Sequence, residues 1–326
     1  MRTAVIGLGV IGKVHAGVLA DQGKEIAALC DVDPAAAEHV RQTYAPDALV
    51  YTDWRRMLDE VRPDVLHICT PHYLHAEMVI ECLGRNIHTL CEKPLCICRE
   101  EMDAVLDAER KSKAVLGVCH QNRFLPVHQY VKKHLSDKTV TAAHGSVVWH
   151  RDAAYYRSAE WRGTRRMEGG GVLINQALHT LDLLLWYCGD PVSVTARDDN
   201  FTLRGEIEVE DTLSAVCAGT HPFTFFATNA GGTDMPPEIR LHLSGAEPVT
   251  VLPNGLLEGG IYRSFREPLH IPGAKACYGG GHALLIDEFY RCLAAGESFS
   301  VNGAEGARVI RLILAAYESR GETVPL

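Results

Sequence analysis

The chain begins with Met1-Arg2-Thr3-Ala4-Val5-Ile6 and runs directly into Gly7-Leu8-Gly9-Val10-Ile11-Gly12. A short apolar strand that leads into G-x-G-x-x-G and then a helix is typical of a dinucleotide-binding βαβ unit. Gly7 would allow the tight turn, Gly9 would let the backbone approach a pyrophosphate, and Gly12 would permit close helix packing. The helix N-terminus would add free N–H groups and a positive dipole end. A purely structural glycine turn is the alternative.

Asp31 is the residue expected to select the cofactor, because it ends the second predicted strand 19 residues after Gly12. A carboxylate there accepts hydrogen bonds from ribose hydroxyls and repels a 2′-phosphate. Neighbouring Val32 and Asp33 offer no basic side chain, so we predict NAD(H) rather than NADP(H). Helix capping, the other possible role of Asp31, is better explained by Asp33 before Pro34. We expect cofactor contacts at Gly7, Gly9, Val10, Ile11, Gly12 and Asp31.

The first 120 residues alternate between short apolar runs and segments with helical periodicity. Strands are predicted over 3–6, 25–30, 48–51, 64–70, 87–91 and 114–119, and helices between them include 34–43, 73–84 and 100–111. A regular succession of strand and helix implies parallel strands joined by right-handed crossovers. The predicted fold of this part is therefore an α/β, doubly wound parallel sheet.

Beyond residue 120 several runs alternate apolar and polar residues. Strands are predicted over 141–150, 212–218, 224–229, 239–244 and 249–252, and helices over 127–134, 172–188, 282–295 and 304–319. The period of two predicts an antiparallel sheet with one packed face and one more open face. We predict two domains, residues 1–120 for the cofactor and 121–326 for the substrate, with a hinge near Gln121–Phe124.

Composition limits the possible partners and location. The 326 residues carry 32 basic and 41 acidic side chains, a formal charge of −9, and neither half is basic, which argues against nucleic acid. No apolar run approaches the roughly 18 residues that span a bilayer, and the start does not resemble a secretory leader. We therefore predict a cytoplasmic protein with no membrane partner. The eleven cysteines are expected to be reduced and buried, and their spacing does not predict a metal site.

Glu92-Lys93-Pro94 lies at the end of a predicted strand, where open α/β sheets bind ligands. Pro94 restricts Lys93 to an extended backbone, so the lysine side chain would be held by local geometry. A lysine at the end of a strand is also a common solvated surface residue. The sequence of this segment alone leaves both interpretations open.

Gly169-Gly170-Gly171 leads into the predicted helix 172–188, which is apolar nearly all round and must therefore be buried. Asn175, His179 and Asp182 are spaced at i, i+4 and i+7, so we predict one polar stripe on this helix. Buried polar groups need partners. A lone helical histidine is usually a core residue with satisfied hydrogen bonds, whereas one that shares a stripe with Asn and Asp suggests function.

These motifs together resemble the glucose–fructose oxidoreductase, inositol dehydrogenase and MocA family (GFO/IDH/MocA) over essentially the whole chain. The matching features are Gly7–Gly12, Thr70-Pro71-x-x-x-His75, Glu92-Lys93-Pro94, Asn122-Arg123-Phe124, Trp161-Arg162, Gly169–His179 and Ala315-Ala316-Tyr317-Glu318-Ser319. The resemblance implies a Rossmann domain joined to an α/β domain with a large, mostly antiparallel open sheet. It also implies NAD(P)-dependent oxidoreduction of a pyranose or polyol, by a homodimer or homotetramer formed through that sheet.

The resemblance implies roles for individual residues. Lys93 would border the nicotinamide and the reacting hydroxyl, His179 would be the general acid/base, and Asn175 would complete the catalytic set. The other cofactor contacts that it implies are Thr70, Pro71, His75, Glu92, Lys93, Trp161 and Arg162. The substrate contacts that we expect are Lys93, Asn122, Arg123, Tyr156, Arg162, Asn175, His179 and His282. For His282, helix capping or loop packing is the alternative.

Asn175 departs from the family pattern, because many members carry Asp at this position. A neutral amide cannot share protons, although it can orient a substrate or an imidazole. This feature resembles the branch that acts on nucleotide-linked amino-sugar uronates and relatives that oxidise C3 of glycosides. The family's inositol or glucose chemistry therefore does not transfer directly to this chain.

The residue types suit hydride transfer from a carbinol carbon. A neutral imidazole can take the hydroxyl proton near pH 7, and an ammonium beside the oxygen stabilises the developing alkoxide. Asp182 is a candidate for fixing the tautomer of His179. A further candidate feature is the segment 151–168, which contains five arginines and three acidic residues. It could clamp an anionic substrate or form a solvated loop.

Three functions remain open at this point. The first is a dehydrogenase that releases NADH after oxidising a sugar, glycoside, uronate or polyol, with C3 of a pyranose as the preferred position. The second is a redox-neutral enzyme that cleaves or epimerises a glycoside through a 3-keto intermediate and keeps its NAD bound. The third is a non-catalytic NAD-binding sensor, which the presence of both Lys93 and His179 argues against.

Overall fold

The structure is a computed structural model that describes residues 1–266 and 280–326. Backbone packing divides the described chain into two units. The first unit contains residues 1–96, 100–121 and 280–306, and the second contains 97–99, 122–266 and 307–326. The chain enters the second unit briefly at residues 97–99, and its later crossing after residue 121 lies close to the predicted division at residue 120. The return of residues 280–306 to the first unit was not anticipated, and the two-domain division 1–120 and 121–326 stays a prediction.

The first unit is built on a six-stranded parallel sheet with the order β3-β2-β1-β4-β5-β6. Its strands are β1 (Thr3–Ile6), β2 (Ile26–Cys30), β3 (Leu49–Tyr51), β4 (Val65–Ile68), β5 (His88–Cys91) and β6 (Leu116–Val118). The strand order reverses between β1 and β4, and this is where open α/β sheets bind ligands. The predicted doubly wound sheet is therefore confirmed.

Helices connect these strands. They are α1 (Val10–Asp21), α2 (Pro34–Tyr44), α3 (Trp54–Val61), α4 (His75–Gly84) and α5 (Arg99–Lys111). As expected, the Asp33 side chain caps α2 by accepting a hydrogen bond from the N–H of Ala35, with Pro34 at the first helical position. Helix α3 was not predicted, although Asp53 caps it in the same way. Four of its eight residues are charged, and only Met57, Leu58 and Val61 are buried.

The second unit contains a nine-stranded sheet in which β7 and β10 pair in parallel and the other neighbouring strands are antiparallel. Its strands are β7 (Val140–Val148), β8 (Ser193–Asp199), β9 (Thr212–Ala218), β10 (Phe223–Thr228), β11 (Glu238–Leu243), β12 (Val249–Leu252), β13 (Gly255–Glu258), β14 (Ile261–Ser264) and β15 (Thr323–Pro325), in the order β14-β13-β12-β11-β7-β10-β9-β8-β15. Residues in β9, β10 and β11 alternate between buried and exposed. The predicted mostly antiparallel sheet with one open face is confirmed.

The remaining helices are α6 (Pro126–His134), α7 (Ala153–Arg157), α8 (Val172–Asn175), α9 (Leu178–Cys188), α10 (Gly281–Ala295) and α11 (Gly303–Ser319). Helix α9 packs against β7, β10 and β11. Helix α10 packs against α1 of the first unit. No helix in residues 1–266 or 280–326 is long and apolar enough to cross a membrane.

The predicted single helix 172–188 is wrong, because it is interrupted between α8 and α9. The N–H of Ala177 donates to the carbonyl of Val172, five residues back, which opens the turn and breaks the α-helical ladder. Gln176 and Ala177 nevertheless keep right-handed backbone angles. The chain therefore keeps its direction of winding, but one regular polar stripe through Asn175, His179 and Asp182 is absent.

The cysteine prediction is confirmed for the ten cysteines among the described residues, all of which are free thiols. Nine are buried and Cys98 is half-buried. The eleventh, Cys277, lies outside the described residues.

Candidate active site

The glycine loop after β1 has the geometry that a dinucleotide requires. Gly7 has a positive φ of 81°, and a Cβ there would lie 2.6 Å from the backbone of Cys69. A Cβ on Gly12 would lie 1.8 Å from the carbonyl oxygen of Gly7. At Gly9 a Cβ would meet no atom within 4 Å, so the space beside this backbone is open to a ligand.

The N-terminus of α1 carries no acidic residue in its first turn, and its N-cap, Gly9, makes no side-chain capping bond. Its N–H groups and dipole are therefore suited to a phosphate. Asp31 lies beside this loop: its carboxylate accepts hydrogen bonds from the N–H of Leu8 at 2.6 Å and of Asp33 at 2.9 Å. These bonds hold the predicted ribose-binding carboxylate against the glycine loop. The residues present thus fit a dinucleotide.

Glu92 anchors the Glu-Lys-Pro segment from inside the first unit. One of its carboxylate oxygens accepts hydrogen bonds from Nε2 of His15 and Nε2 of His282, each at 3.0 Å. The other accepts the backbone N–H of Lys93 at 3.1 Å. Burial opposes ionisation, but the two histidines outweigh it and hold the pKa of Glu92 well below its ordinary value. Glu92 is thus a buried carboxylate that fixes the backbone at Lys93.

Lys93 is half-buried, whereas Glu92, Pro94 and Leu95 around it are buried. The Lys93–Pro94 peptide is cis. His75 connects this segment to the loop after β4, because its two ring nitrogens lie 2.7 Å from the carbonyl oxygen of Pro94 and 2.8 Å from that of Thr70. Burial lowers the pKa of His75. The structure therefore gives His75 a role in holding two loops at the carboxyl edge of the sheet.

His15, Glu92 and Cys119 have donor atoms within 4.8 Å of one another and are the candidate metal ligands found in the described part of the chain. His15 and Glu92 already share a hydrogen bond, and burial raises the pKa of the Cys119 thiol well above its ordinary value. A thiol in that state is a poor metal ligand. We assign no metal to this cluster.

Asn175 and His179 stand out in the second unit by their exposure. In residues 170–188 every side chain is buried except those of Asn175, His179 and Trp186, which are half-buried. The two candidates are four residues apart, and right-handed backbone connects them across the break between α8 and α9. Their half-buried side chains are the accessible polar groups of this segment, as a site for substrate requires.

Asp182, the candidate for fixing the tautomer of His179, is paired with Arg123 in the structure. Both of its carboxylate oxygens accept hydrogen bonds from the Arg123 guanidinium, at 2.7 and 2.9 Å, and both residues are buried. A bidentate pair of this kind fixes both side chains. Arg123, predicted to contact substrate, is thus part of the interior of the second unit.

Two other predicted substrate contacts are also buried. Tyr156 is 4% exposed, and its hydroxyl accepts a hydrogen bond from Nδ2 of Asn229. His282 is 1% exposed and is bonded to Glu92 within the first unit. We therefore do not carry Arg123, Tyr156 or His282 into the proposed substrate site. Asn122 is half-buried.

The arginine-rich segment is partly neutralised by acids outside the stretch 151–168. Arg151 pairs with Asp234, and Arg157 pairs with Glu206. The Arg162 guanidinium lies over the rings of Tyr155 and Trp161, at 4.4 and 4.6 Å from their centroids. Arg165 and Arg166 are exposed. The predicted clamp is therefore reduced to Arg162, Arg165 and Arg166.

Comparison with known proteins identifies the family of this chain. The family model "Oxidoreductase family, NAD-binding Rossmann fold" matches residues 1–120, and "GFO/IDH/MocA C-terminal domain" matches residues 129–246. The chain belongs to the GFO/IDH/MocA oxidoreductase family. Its N-terminal part is an NAD-binding Rossmann domain, so the predicted cofactor is confirmed.

Three relatives illustrate the range of this family. The chain is 28% identical to the D-glucoside 3-dehydrogenase of Escherichia coli, over 63% of this chain and 59% of that protein. It is 24% identical to the inositol 2-dehydrogenase of Rhizobium meliloti, over 99% and 97%. The WlbA dehydrogenase of Bordetella pertussis, solved with NADH and UDP-GlcNAcA, is 28% identical with a TM-score of 0.87, over 100% of this chain and 98% of that one.

Two buried carboxyl groups of this GFO/IDH/MocA member were not predicted as site residues. Glu168 bonds Asn175, and Glu210 accepts hydrogen bonds from the backbone N–H of Gly171 and Leu173 at the start of α8. Glu168 directly precedes the glycine run, which was the available signal. Glu210 lies 37 residues after Leu173, so no local pattern connects the two.

Proposed function

We propose that this protein is an NAD-dependent dehydrogenase that oxidises a carbinol carbon of a sugar-type substrate, with C3 of a pyranose as the preferred position. The observation that carries the proposal is the pair of half-buried polar side chains, Asn175 and His179, in a mostly buried segment of a chain with an NAD-binding domain. Relatives named as a D-glucoside 3-dehydrogenase and inositol 2-dehydrogenases support this substrate class.

In this proposal each of the site residues has a separate role. The glycine loop and Asp31 bind the dinucleotide, and NAD, when bound, supplies the hydride acceptor. The His179 imidazole takes the proton of the reacting hydroxyl. The Lys93 ammonium stabilises the negative charge that develops on the same oxygen. Asn175 orients a substrate hydroxyl by hydrogen bonding.

Among sugar-type substrates we favour an anionic one. Arg165 and Arg166 are exposed and Arg162 is half-buried, all within a few residues of the Gly169–Gly171 turn. The WlbA relative, which matches this chain over its whole length, was solved with UDP-GlcNAcA, a nucleotide-linked uronate. Arginine is well suited to carboxylate and phosphate groups.

The test is NAD reduction with a panel that contains a glucoside, a free hexose, an inositol and a nucleotide-linked uronate. We expect NADH to accumulate, as measured by its absorbance, with at least one panel member and a 3-keto product by mass spectrometry and NMR. His179→Ala should lower kcat by about 10² to 10⁴-fold. Turnover of substrate without NADH accumulation would point instead to the redox-neutral reaction. No turnover with any panel member would overturn the proposal.

We also propose a homodimer or homotetramer formed through the open face of the nine-stranded sheet, in the cytoplasm. Strands β9 and β10 expose Val216 and Phe226 on one face of this sheet. The ten cysteines in the described part of the chain are free thiols, which suits a reducing compartment.

A further inference from the structure

Glu168 is a carboxyl group fully enclosed in the second unit, at 0% exposure, and it touches a candidate site residue. Its Oε1 accepts a hydrogen bond from Nδ2 of Asn175 at 2.5 Å, and its Oε2 accepts one from the backbone N–H of Gly163. Both oxygens act as acceptors, which is the arrangement of an ionised carboxylate. Glu168 and Asn175 are thus a hydrogen-bonded pair of a carboxyl group and a neutral amide.

The charge on Glu168 determines which way the Asn175 amide faces. A carboxylate oxygen only accepts hydrogen bonds, so the atom that faces it must be the amide nitrogen. The amide is planar, and its oxygen is therefore turned away from Glu168. Since Asn175 is half-buried and Glu168 is enclosed, the side chain turns its carbonyl oxygen, a hydrogen-bond acceptor, toward its more accessible side.

We propose that Glu168, as a carboxylate, is a positioning residue that fixes the Asn175 oxygen as the acceptor for a donor group, such as a hydroxyl hydrogen, of the substrate. This inference rests on the proposed sugar dehydrogenase function. It assigns to Glu168, through its hydrogen bond with Asn175, the orientation of one hydroxyl of the substrate. It also explains how a neutral amide at position 175 can have a fixed polarity.

The carboxylate and the amide of residues 168 and 175 can be exchanged by substitutions that keep the size of each side chain. In Glu168→Gln, the oxygen of the new side-chain amide still accepts the hydrogen bond from the Gly163 N–H, so its NH2 group faces residue 175. The Asn175 amide must then flip, which turns its oxygen inward and its NH2 group outward. In the double variant Glu168→Gln/Asn175→Asp, that NH2 donates to a carboxylate, whose other oxygen again is an acceptor. The double variant therefore restores the outward acceptor that the single variant loses.

Asn175→Asp alone brings two carboxyl groups within hydrogen-bond distance. Like charges this close share one proton, which raises the pKa of the pair. Because the folded pKa would then exceed the unfolded one, the variant has added stability at low pH that disappears as the pH rises through the raised value. Glu168→Gln/Asn175→Asp carries one carboxylate in this pair and lacks this dependence.

The experiment measures kcat, KM and NAD affinity of the wild type and these three variants from about pH 5 to about pH 9, and their urea unfolding over the same range. We expect Glu168→Gln to lower kcat by about 10²-fold without changing NAD affinity. The double variant should regain at least about tenfold over that single variant, and the activity of Asn175→Asp relative to wild type should rise as the pH falls. Asp211→Asn is the control: it alters another buried carboxylate of this unit, which bonds the backbone of Phe201 and Thr202. It should lose stability at unchanged kcat.

The outcomes separate the two proposals. Wild-type kcat in Glu168→Gln, or a double variant no faster than that single variant, would overturn the positioning role. If Glu168→Gln does not fold, a double variant more active than Asn175→Asp at about pH 8 supports the role and an equal or slower one overturns it. If the wild type oxidises no panel member, the dehydrogenase proposal fails. The unfolding data then still test the contact between residues 168 and 175. If the difference in unfolding free energy between Asn175→Asp and wild type does not change with pH, the two carboxyl groups do not interact and the inference is refuted.

Discussion

Lys93 and His179 share a local signature: each is a half-buried titratable side chain between buried neighbours. A titratable group in such a position is shielded from bulk water yet still reachable by a ligand. This is the setting in which a positive charge stabilises a developing alkoxide more strongly than it would in water. The backbone at Lys93 is held in turn by Glu92, whose carboxylate is kept ionised by His15 and His282.

Lys93→Ala should abolish hydride transfer while NAD still binds. Loss of the ammonium removes charge stabilisation at the reacting oxygen, and we expect kcat to fall by at least about 10²-fold. NADH formation and NAD binding, followed by fluorescence, are the measurements. Lys111→Ala is the control, because Lys111 is an exposed residue paired with Asp107 on α5. Wild-type turnover in Lys93→Ala would remove the lysine from the mechanism.

The glycine loop and the start of α8 are the elements that connect fold to function. In the loop, two glycines are required by the packing of the protein, and a third lies beside open space. At α8, the buried Glu210 carboxyl accepts the N–H groups of Gly171 and Leu173 and is also bonded by the Tyr317 hydroxyl at 2.9 Å. These carboxyl contacts replace the side-chain cap that α8 lacks at Gly171.

Gly9→Ala and Gly12→Ala should affect two different properties, NAD binding in the first and stability in the second. A methyl at residue 9 meets no protein atom, so we expect wild-type stability but at least about tenfold weaker NAD binding, because the methyl fills ligand space. A methyl at residue 12 would lie 1.8 Å from the Gly7 carbonyl oxygen, which should cost at least about 1–3 kcal/mol of unfolding free energy. Urea unfolding and calorimetric NAD titration measure both. Unchanged NAD affinity in Gly9→Ala would contradict the assignment of this loop.

Glu210 should make the stability of the protein pH-dependent. Burial raises the pKa of Glu210 to about 7, against a weaker opposing effect of its hydrogen bonds. Because the folded pKa exceeds the unfolded one, the stability that this group contributes is complete below about pH 4.5 and is lost as the pH rises through about 7. The difference in unfolding free energy between wild type and Glu210→Gln should therefore fall by a few kcal/mol across this window. Urea unfolding measures these free energies, and a difference between the two proteins that stays constant with pH would contradict the prediction.

For the molecule as a whole, the open face of the nine-stranded sheet is the feature that bears on assembly. The alternation in β9 and β10 buries one face and exposes the other, including Val216 at 56% exposure and Phe226. Apolar side chains clustered on one exposed sheet face are typical of protein–protein contacts.

Val216→Glu should shift the protein to a smaller species. A charge at the centre of an apolar contact is desolvated without a partner, so we expect a dimer or tetramer of the wild type to dissociate at micromolar concentration. Light scattering coupled to size-exclusion chromatography provides the measurement. Phe201→Glu is the control, because Phe201 is equally exposed but lies outside the strands. A monomeric wild type would refute the proposed assembly.

Local patterns in the sequence were sufficient for the parallel sheet, the glycine loop, the capping of α2 by Asp33 and the alternating strands of the second sheet. Each depends on residues within a few positions of one another, whose periodicity and backbone preferences act before any long-range packing. The positions of Lys93 and His179 also follow from motifs of this kind, and their roles remain proposals.

Tertiary structure alone decided which partners the polar side chains take. Asp182 bonds Arg123, which is 59 residues away in the chain, Glu210 supports α8 from 37 residues away, and Glu92 meets His282 across 190 residues. The break between α8 and α9 and the return of residues 280–306 to the first unit are of the same kind. A hydrogen bond depends on the distance and direction between two atoms in space, and sequence separation specifies neither.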